Sequence, residues 1–189
     1  STGLSVSVRL GEVETLEYQR DRSLGVTVYA GQRKGSASTA NLTPAAVEET
    51  IAKALSIASF TTADEFAGLP DADRMAGRLP DLDLSHPWAL EASAAVELAK
   101  RCEAAGLAFD ARIRNSEGAS VSTNRKLRVF GNSHGFIGGY PSTSHSVSCV
   151  VVGQTDGDMQ RDYWYTAARD WRALEDVEAV GRRAAEKAV

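Results

Sequence analysis

The segment that decides the fold is Val147-Ser148-Cys149-Val150-Val151-Val152, the most β-prone run in the chain. Its predicted partner runs from Met159 to Thr166, because Asp156-Gly157 between the two runs supplies a tight hairpin turn. The sequence therefore predicts an antiparallel hairpin in the C-terminal half of the chain.

Upstream of this hairpin, the stretch from Val129 to Ser144 is dense in glycine, hydroxyl residues and histidine. Gly131-Asn132-Ser133-His134-Gly135 fits the Gly-x-Ser-x-Gly pattern of a hydrolase nucleophile elbow. An elbow needs a helix after its serine, whereas Gly138, Gly139 and Pro141 fall where that helix should run. We therefore expect a glycine-assisted turn between two strands, with a serine hydrolase as the alternative.

The N-terminal region has the pattern of a strand meander. Leu4, Val6, Val8 and Leu10 alternate with polar residues, and tight turns at Gly11 and Gly31 separate short runs of the same kind. The predicted strands are 4–10, 13–19, 24–29 and 33–39. Because the chain begins directly on a strand, we expect that it is a fragment of a longer protein.

Helical periodicity appears in three places. Thr43 and Pro44 predict a helix start, followed by an apolar stripe expected to face the sheet. A second helix is predicted from a cap at Ser93 to about Leu107, and a third over 173–189. The residues expected to face inward are Val47, Ile51, Leu55 and Ala58 in the first helix, and Ala95, Leu98, Ala99 and Cys102 in the second.

These elements predict the α+β class, with antiparallel strand meanders packed against a few helices in two layers. The segment from Gly77 to Pro87 is the best linker in the sequence. We accordingly divide the chain into an N-terminal α+β domain at 1–79, a linker at 80–92 and a middle α+β domain at 93–189.

Composition narrows the classes of function. The formal net charge of −4 argues against a nucleic-acid binder, and no apolar run reaches the length of a membrane span. The two cysteines, Cys102 and Cys149, are too few for a disulfide framework. We expect buried thiols in a reducing compartment, which favours the cytoplasm.

The residues alone do not supply a catalytic set. The three histidines are His86, His134 and His145, and none lies on a predicted helix beside a glutamate, as a zinc hydrolase requires. Asp81 and Asp83 near His86 suggest either a cation site or, more simply, capped turns. We therefore expect no metal site within this chain.

Several blocks of sequence carry a resemblance to a known family, and they span nearly the whole chain in the right order. The blocks are Lys34-Gly35-Ser36-Ala37-Ser38, Pro80-Asp81-Leu82-Asp83-Leu84-x-His86-Pro87, Phe130-Gly131-Asn132-Ser133-His134-Gly135, Gly139-Tyr140-x-Ser142-Thr143-x-His145-Ser146 and Gly157-Asp158-Met159-x-Arg161-Asp162-Tyr163-x-Tyr165-Thr166. In these blocks the chain resembles the PmbA/TldE branch of the TldD/PmbA family of cytoplasmic peptidases, also called modulators of DNA gyrase.

The resemblance implies that a leading helix and a C-terminal half are missing, because family members are longer. It also implies a heterodimer of TldD and TldE that degrades unfolded peptides with zinc. The zinc-binding His-Glu-x-x-x-His motif belongs to TldD, so the resemblance assigns neither a catalytic residue nor a metal ligand to this chain.

We therefore expect a non-metal subunit that pairs with a zinc-bearing TldD-like partner and helps to enclose and present an extended peptide. The candidates for lining the peptide route are Asn132, Ser133, His134, Tyr140 and His145. The glycine-flanked turn among them has a purely structural interpretation as well. The alternative function is a binding module with no peptidase role, linked to DNA gyrase. We expect no membrane and no direct nucleic-acid contact.

Overall fold

The computed structural model describes every residue from Ser1 to Val189. The strands are β1 (Thr2–Arg9), β2 (Glu12–Arg20), β3 (Leu24–Ala30), β4 (Arg33–Thr39), β5 (Ile113–Gly131), β6 (Ile137–Thr155) and β7 (Asp158–Ala168). The helices are α1 (Pro44–Phe60), α2 (Ala92–Leu107) and α3 (Val177–Ala188), with short 3-10 helices at Ala72–Arg74 and Trp171–Ala173. The predicted α+β class with antiparallel strands is confirmed.

The hairpin predicted from the valine-rich run is confirmed as β6 and β7. Val147 pairs with Thr166 and Val152 with Arg161, in an unbroken antiparallel register. The turn after Asp156 holds Gly157 at a φ of 107°, a backbone region that glycine enters without a steric cost.

The main sheet has five strands in the order β2-β1-β5-β6-β7. Val6, Val121 and Val147 lie on one face and are completely buried. Helices α2 and α3 both pack on that face, contributing small residues such as Ala99 and Ala184 to the same core. The opposite face carries half-buried hydroxyl residues, among them Ser5, Ser7, Ser120, Ser122, Ser146 and Ser148. One face of this sheet is therefore core, and the other is polar.

The chain forms two compact units that do not follow chain order. One consists of residues 1–20, 81–130 and 138–189, and the other of 21–80 and 131–137. The first 20 residues join the later part of the chain because β1 pairs with β5, with Val6 opposite Val121. The division at 1–79, 80–92 and 93–189 stays a prediction about domains.

In the second unit, the hairpin of β3 and β4 packs against α1, and the predicted stripe on this helix is confirmed at Ala58, with Val47 half-buried, but is wrong at Ile51 and Leu55. Ile51 and Leu55 are 40% and 49% exposed, whereas Thr50, Ala54 and Ala58 are the buried residues. The cause is Gly35 of β4, where a Cβ atom would overlap the carbonyl oxygen of Ala54. The helix lies so close to the strand that only small side chains fit between them.

The helix starts follow the predictions in part. Helix α1 begins at Pro44 as expected, although the Thr43 side chain makes no capping hydrogen bond. Helix α2 begins at Ala92, so the predicted cap at Ser93 is wrong and this serine lies in the first turn. Helix α3 begins only at Val177, after Asp176 Oδ1 accepts from two backbone N–H groups. None of these helices combines the length and apolar composition that crossing a bilayer requires.

The two cysteines are free and buried, as predicted. The side-chain hydrogen bond to Cys149 and burial both raise the pKa of the Cys102 thiol above its ordinary value. Since the thiolate is the reactive form of cysteine, Cys102 is chemically quiet and serves as a packing residue.

One buried carboxylate fixes the first hairpin to the helix layer. Glu103 on α2 is 1% exposed, and its Oε1 and Oε2 accept from the backbone N–H groups of Leu10 and Gly11 at 2.8 and 2.9 Å. Leu10 and Gly11 form the turn between β1 and β2 with φ angles of 49° and 80°. A left-handed leucine is unfavourable by itself, so the carboxylate holds this turn in place.

Replacing Glu103 with alanine is expected to lower the free energy of unfolding by about 1–3 kcal/mol, because two turn N–H groups lose their acceptor. Glu103→Gln keeps one acceptor oxygen but turns an NH2 group toward the other backbone N–H, so it should destabilise the chain as well. Urea unfolding followed by circular dichroism measures both changes. Glu97→Ala on the exposed side of the same helix is the control, and an equal loss there would contradict the anchoring role.

Helices α2 and α3 cross at a point that tolerates no side chain. A Cβ atom at Gly181 of α3 would overlap the carbonyl oxygen of Cys102 on α2. Gly106 on α2 faces the same crossing, where an added Cβ atom would lie 3.1 Å from the carbonyl oxygen of Gly181. These backbone contacts set how closely α2 and α3 approach each other.

Gly181→Ala is expected to destabilise the chain by about 1–3 kcal/mol, because the helix backbones must separate and the core below them loosens. Alanine is the better helix former by about 1 kcal/mol, so intrinsic propensity alone predicts the opposite sign. Thermal unfolding decides between the two. Gly77→Ala is a suitable control, because nothing lies within 4 Å of a Cβ atom built there.

Candidate functional site

The predicted Asn132 turn is the tip between β5 and β6, and Asn132 builds it. Its backbone N–H donates to the Phe136 carbonyl at 3.0 Å, and its side-chain Oδ1 accepts from His134 N–H at 3.1 Å and Phe136 N–H at 3.3 Å. Its Nδ2 lies 3.0 Å from Met75 Sδ. Gly135 takes a φ of 81°, which the turn needs. The local hydrogen bonds are thus sufficient to explain the asparagine and the glycine.

This turn is not a nucleophile elbow. The chain passes from β5 through the turn directly into β6, so the helix that would raise Ser133 and supply an oxyanion hole is absent. Ser133 and His134 are exposed on the turn. The expectation of a glycine-assisted turn between two strands is confirmed.

The other two candidates lie on β6, in the other compact unit. Tyr140 is 38% exposed, whereas His145 is completely buried. The ring nitrogens of His145 contact Thr123 Oγ1 at 2.9 Å and the His86 carbonyl oxygen at 3.0 Å. The edge of its ring meets Trp88 at 5.7 Å between centroids. In this arrangement His145 has both nitrogens bonded and no surface for a ligand.

The five candidate residues therefore occupy three different settings. Asn132, Ser133 and His134 share one turn, Tyr140 lies on a sheet face, and His145 belongs to the core. Their place on a peptide route stays a prediction.

A polar network around Thr143 was missed by the sequence analysis. Its Oγ1 donates to the Arg169 carbonyl at 2.7 Å and accepts from the His86 N–H at 2.9 Å, while its own N–H donates to the Leu84 carbonyl at 2.8 Å. Thr143 is 2% exposed. It joins the segment before α2 to the ends of β6 and β7. The repeated hydroxyls around residue 143 were a visible signal, but their partners lie far along the chain.

The network continues through Asp170. Its carboxylate accepts from Arg172 at 2.8–3.1 Å and lies 3.8 Å from His86 Nδ1. The hydrogen bonds from Arg172 lower the pKa of Asp170 to about 2. Trp171 beside it stacks on Trp88 at 5.6 Å and 10°. These contacts hold the chain between β7 and α3 against the sheet.

The acidic segment before His86 forms turns. Asp81 Oδ1 accepts from the Asp83 N–H at 3.0 Å, which is the capped turn predicted for these loop aspartates. Asp83 has a φ of 47°, and its carbonyl oxygen lies 3.0 Å from His86 Nε2. These atoms are engaged with one another, so the turn interpretation accounts for them without a cation.

Comparison with protein families gives two matches that cover most of the chain. Residues 1–58 match domain 1 of the PmbA/TldA metallopeptidases, and residues 85–189 match their central domain.

Two curated relatives align with almost the entire sequence. Metalloprotease PmbA of Escherichia coli O157:H7 is 48% identical over 181 residues, which are 96% of this chain and 40% of the relative. A PmbA homolog of Haemophilus influenzae is 43% identical over 188 residues, covering 100% of this chain and 42% of the relative. The chain thus spans about two fifths of the length of the curated relatives it matches.

Solved structures show the same fold. A protein of Bacteroides thetaiotaomicron described as a candidate modulator of DNA gyrase superposes with a TM-score of 0.87 at 26% identity, over 99% of this chain and 43% of that one. TldE from Thermococcus kodakarensis gives a TM-score of 0.73 at 18% identity, over 99% and 42% of the two chains. Sequence and fold agree, and the chain belongs to the PmbA/TldA metallopeptidase family.

Proposed function

We propose that this chain is part of a TldE-like subunit that holds no catalytic metal and helps to enclose and present an extended peptide to a zinc-bearing, TldD-like partner. Family membership supports a link to peptide hydrolysis. The observation that carries the peptide-presenting role is the form of the main sheet, which offers one polar face and one free edge. Extended peptides bind such edges by backbone pairing.

The two edges of the sheet differ in accessibility. On β7, Tyr163 donates its N–H to Asp162 Oδ1 at 2.7 Å, and its carbonyl accepts from Lys187 Nζ at 3.2 Å. Side chains therefore occupy the backbone N–H and carbonyl groups of one central residue on that edge. On the other side, β2 pairs only with β1, and all nine of its residues are exposed. The β2 edge is the place where a peptide can add.

The chemistry of hydrolysis belongs to the partner in this proposal. His86 and His145 are bonded within the polar network, and His134 lies on a separate turn, so the histidines do not converge as zinc ligands do. What this subunit contributes is shape and backbone hydrogen bonding. We place the complex in the cytoplasm, in agreement with two buried, unpaired cysteines.

The full-length protein carrying this sequence is expected to co-elute with a TldD-like subunit in size-exclusion chromatography. The mixture should hydrolyse an unfolded peptide that neither protein cleaves alone, and a zinc chelator should abolish the activity. Failure of both co-elution and hydrolysis would overturn the proposal. Capture of DNA gyrase without any TldD-like subunit would favour instead a binding module with no peptidase role, the function suggested by the description of the Bacteroides structure.

The role of the Asn132 turn is tested by comparing two variants in that complex. Asn132→Ala should lower the melting temperature, because each lost turn hydrogen bond contributes about 1 kcal/mol. His134→Ala should leave both melting temperature and hydrolysis unchanged, since its side chain is exposed and only its backbone N–H is bonded. Loss of hydrolysis at an unchanged melting temperature would place His134 on the peptide route.

A further inference from the structure

The polar face of the main sheet contains a cavity of about 580 Å³ where β5, β6 and β7 lie side by side. We call it the β5–β7 cavity. Its polar and small lining residues are Asn124, Lys126, Ser142, Ser144, Ala167 and Arg169. All of them belong to one compact unit, and none belongs to the candidate residues considered above.

The strand register explains why there is a hollow at this point. Ser122 Oγ lies 2.8 Å from Ser146 Oγ across β5 and β6, and Ser146 pairs with Ala167 on β7. The cavity lies next to this row, and several of its lining side chains are small, among them Ser144 and Ala167.

The cavity is positively charged. Lys126 and Arg169 line it, both are exposed, and neither takes part in an ion pair. Three other cations of the same unit are paired, namely Arg161 with Glu117 at 2.7 Å, Arg172 with Asp170 at 2.8 Å and Lys187 with Asp162 at 2.7 Å. The Arg169 guanidinium has only a long contact of 3.5 Å to the Thr143 carbonyl.

No carboxylate lines the cavity, and the nearest one in sequence is already neutralised. Asp170 follows Arg169 directly, but its oxygens are bonded to Arg172. The two free cations therefore act on the cavity without an internal counter-charge. Lys126 lies on β5 and Arg169 directly follows β7, so the sheet fixes where both side chains begin.

Hydroxyl donors lie beside these cations. Ser142 and Ser144 on β6 line the same cavity, with Ser142 half-buried and Ser144 exposed. Asn124 lines it too, but its Oδ1 is buried from solvent, so a ligand has no access to this atom. Two cations and two hydroxyl groups together match the oxygens of a carboxylate.

The cavity is also close to the free edge of the sheet. Asn124 pairs with Gly3 on β1, and Gly3 pairs with Gln19 on β2. β5 lies two strand spacings, about 10 Å, from β2, and a chain added to the free edge of β2 lies one spacing further out. A chain that pairs with β2 near Gln19 therefore needs about four or five extended residues to reach Asn124 in the cavity lining.

We propose that the β5–β7 cavity binds a carboxylate group of the peptide, with Lys126 and Arg169 holding its oxygens beside the hydroxyl groups of Ser142 and Ser144. The proposal takes its ligand from the proposed function above. The carboxylate belongs either to the C-terminus of the peptide or to an acidic side chain, and the chemistry of recognition is the same for both.

Fluorescence anisotropy of the full chain with three labelled hexapeptides tests this assignment. The first is an uncharged sequence with a free C-terminal carboxylate, the second is its C-terminal amide, and the third is the amide with one glutamate inside. The first, the third or both should bind at least about tenfold more tightly than the second, the effect of a charge-assisted hydrogen bond. Which of them binds identifies the source of the carboxylate.

The double variant Lys126→Met and Arg169→Met should remove this preference. It should weaken binding of the carboxylate-bearing peptide that the wild-type chain prefers by about tenfold or more. Arg114→Met is the matched control, because Arg114 is also an exposed cation on β5 but does not line the cavity. Circular dichroism and the melting temperature verify that each variant is folded. Unchanged binding of the preferred carboxylate-bearing peptide by the double variant would overturn the proposal. Equal binding of all three peptides, or of none, would overturn it as well.

The outcomes separate this proposal from the one on which it rests. If the double variant still supports hydrolysis by the complex, and all three peptides bind alike, presentation of peptides stands and the carboxylate cavity falls. If the wild-type complex has no hydrolytic activity but the full chain prefers the carboxylate-bearing peptides, the carboxylate cavity stands and the presentation of peptides falls.

Discussion

The pairing of β1 with β5 is the constraint on which the rest of this structure depends. It places the first strand of the chain in the interior of the sheet, with Val6 and Val121 opposite one another and completely buried. Without it, β6 and β7 would present an unprotected edge at β5, and α2 would lose the strand that it covers. The anchor from Glu103 to the turn after β1 has meaning only because this pairing brings the two together.

Close packing of small residues also decides which apolar side chains lie in the core and which lie on the surface. Where Gly35 or Gly181 allows backbones to approach, the interior is filled by alanine and valine. Dispersion and burial then come from many short contacts in place of a few large side chains. Larger residues such as Ile51 and Leu55 are left on the surface. A helix can thus be amphipathic in sequence while its larger apolar residues face away from its own sheet.

These features explain which parts of the fold were predictable from sequence. The hairpin of β6 and β7 was, because a β-prone run and an aspartate-glycine turn are local signals. The buried face of α1 was not predictable. Periodicity identifies a buried face by its hydrophobic residues, whereas the close approach at Gly35 admits only small residues. The position of His145 in the core was also beyond reach, since its partners Thr123 and His86 are distant in the chain and adjacent only in the fold.

The contrast between the two faces of the sheet bears on function more than any single residue does. Polar groups on the helix-covered side are matched: His145, Thr143 and Glu103 are each fully bonded within the protein. On the opposite side, Lys126 and Arg169 line one cavity without counter-charges. Two like charges in one hollow repel each other and do not stabilise the fold. A carboxylate ligand that completes them is the explanation that fits the proposed function, and the sheet fixes where both side chains begin.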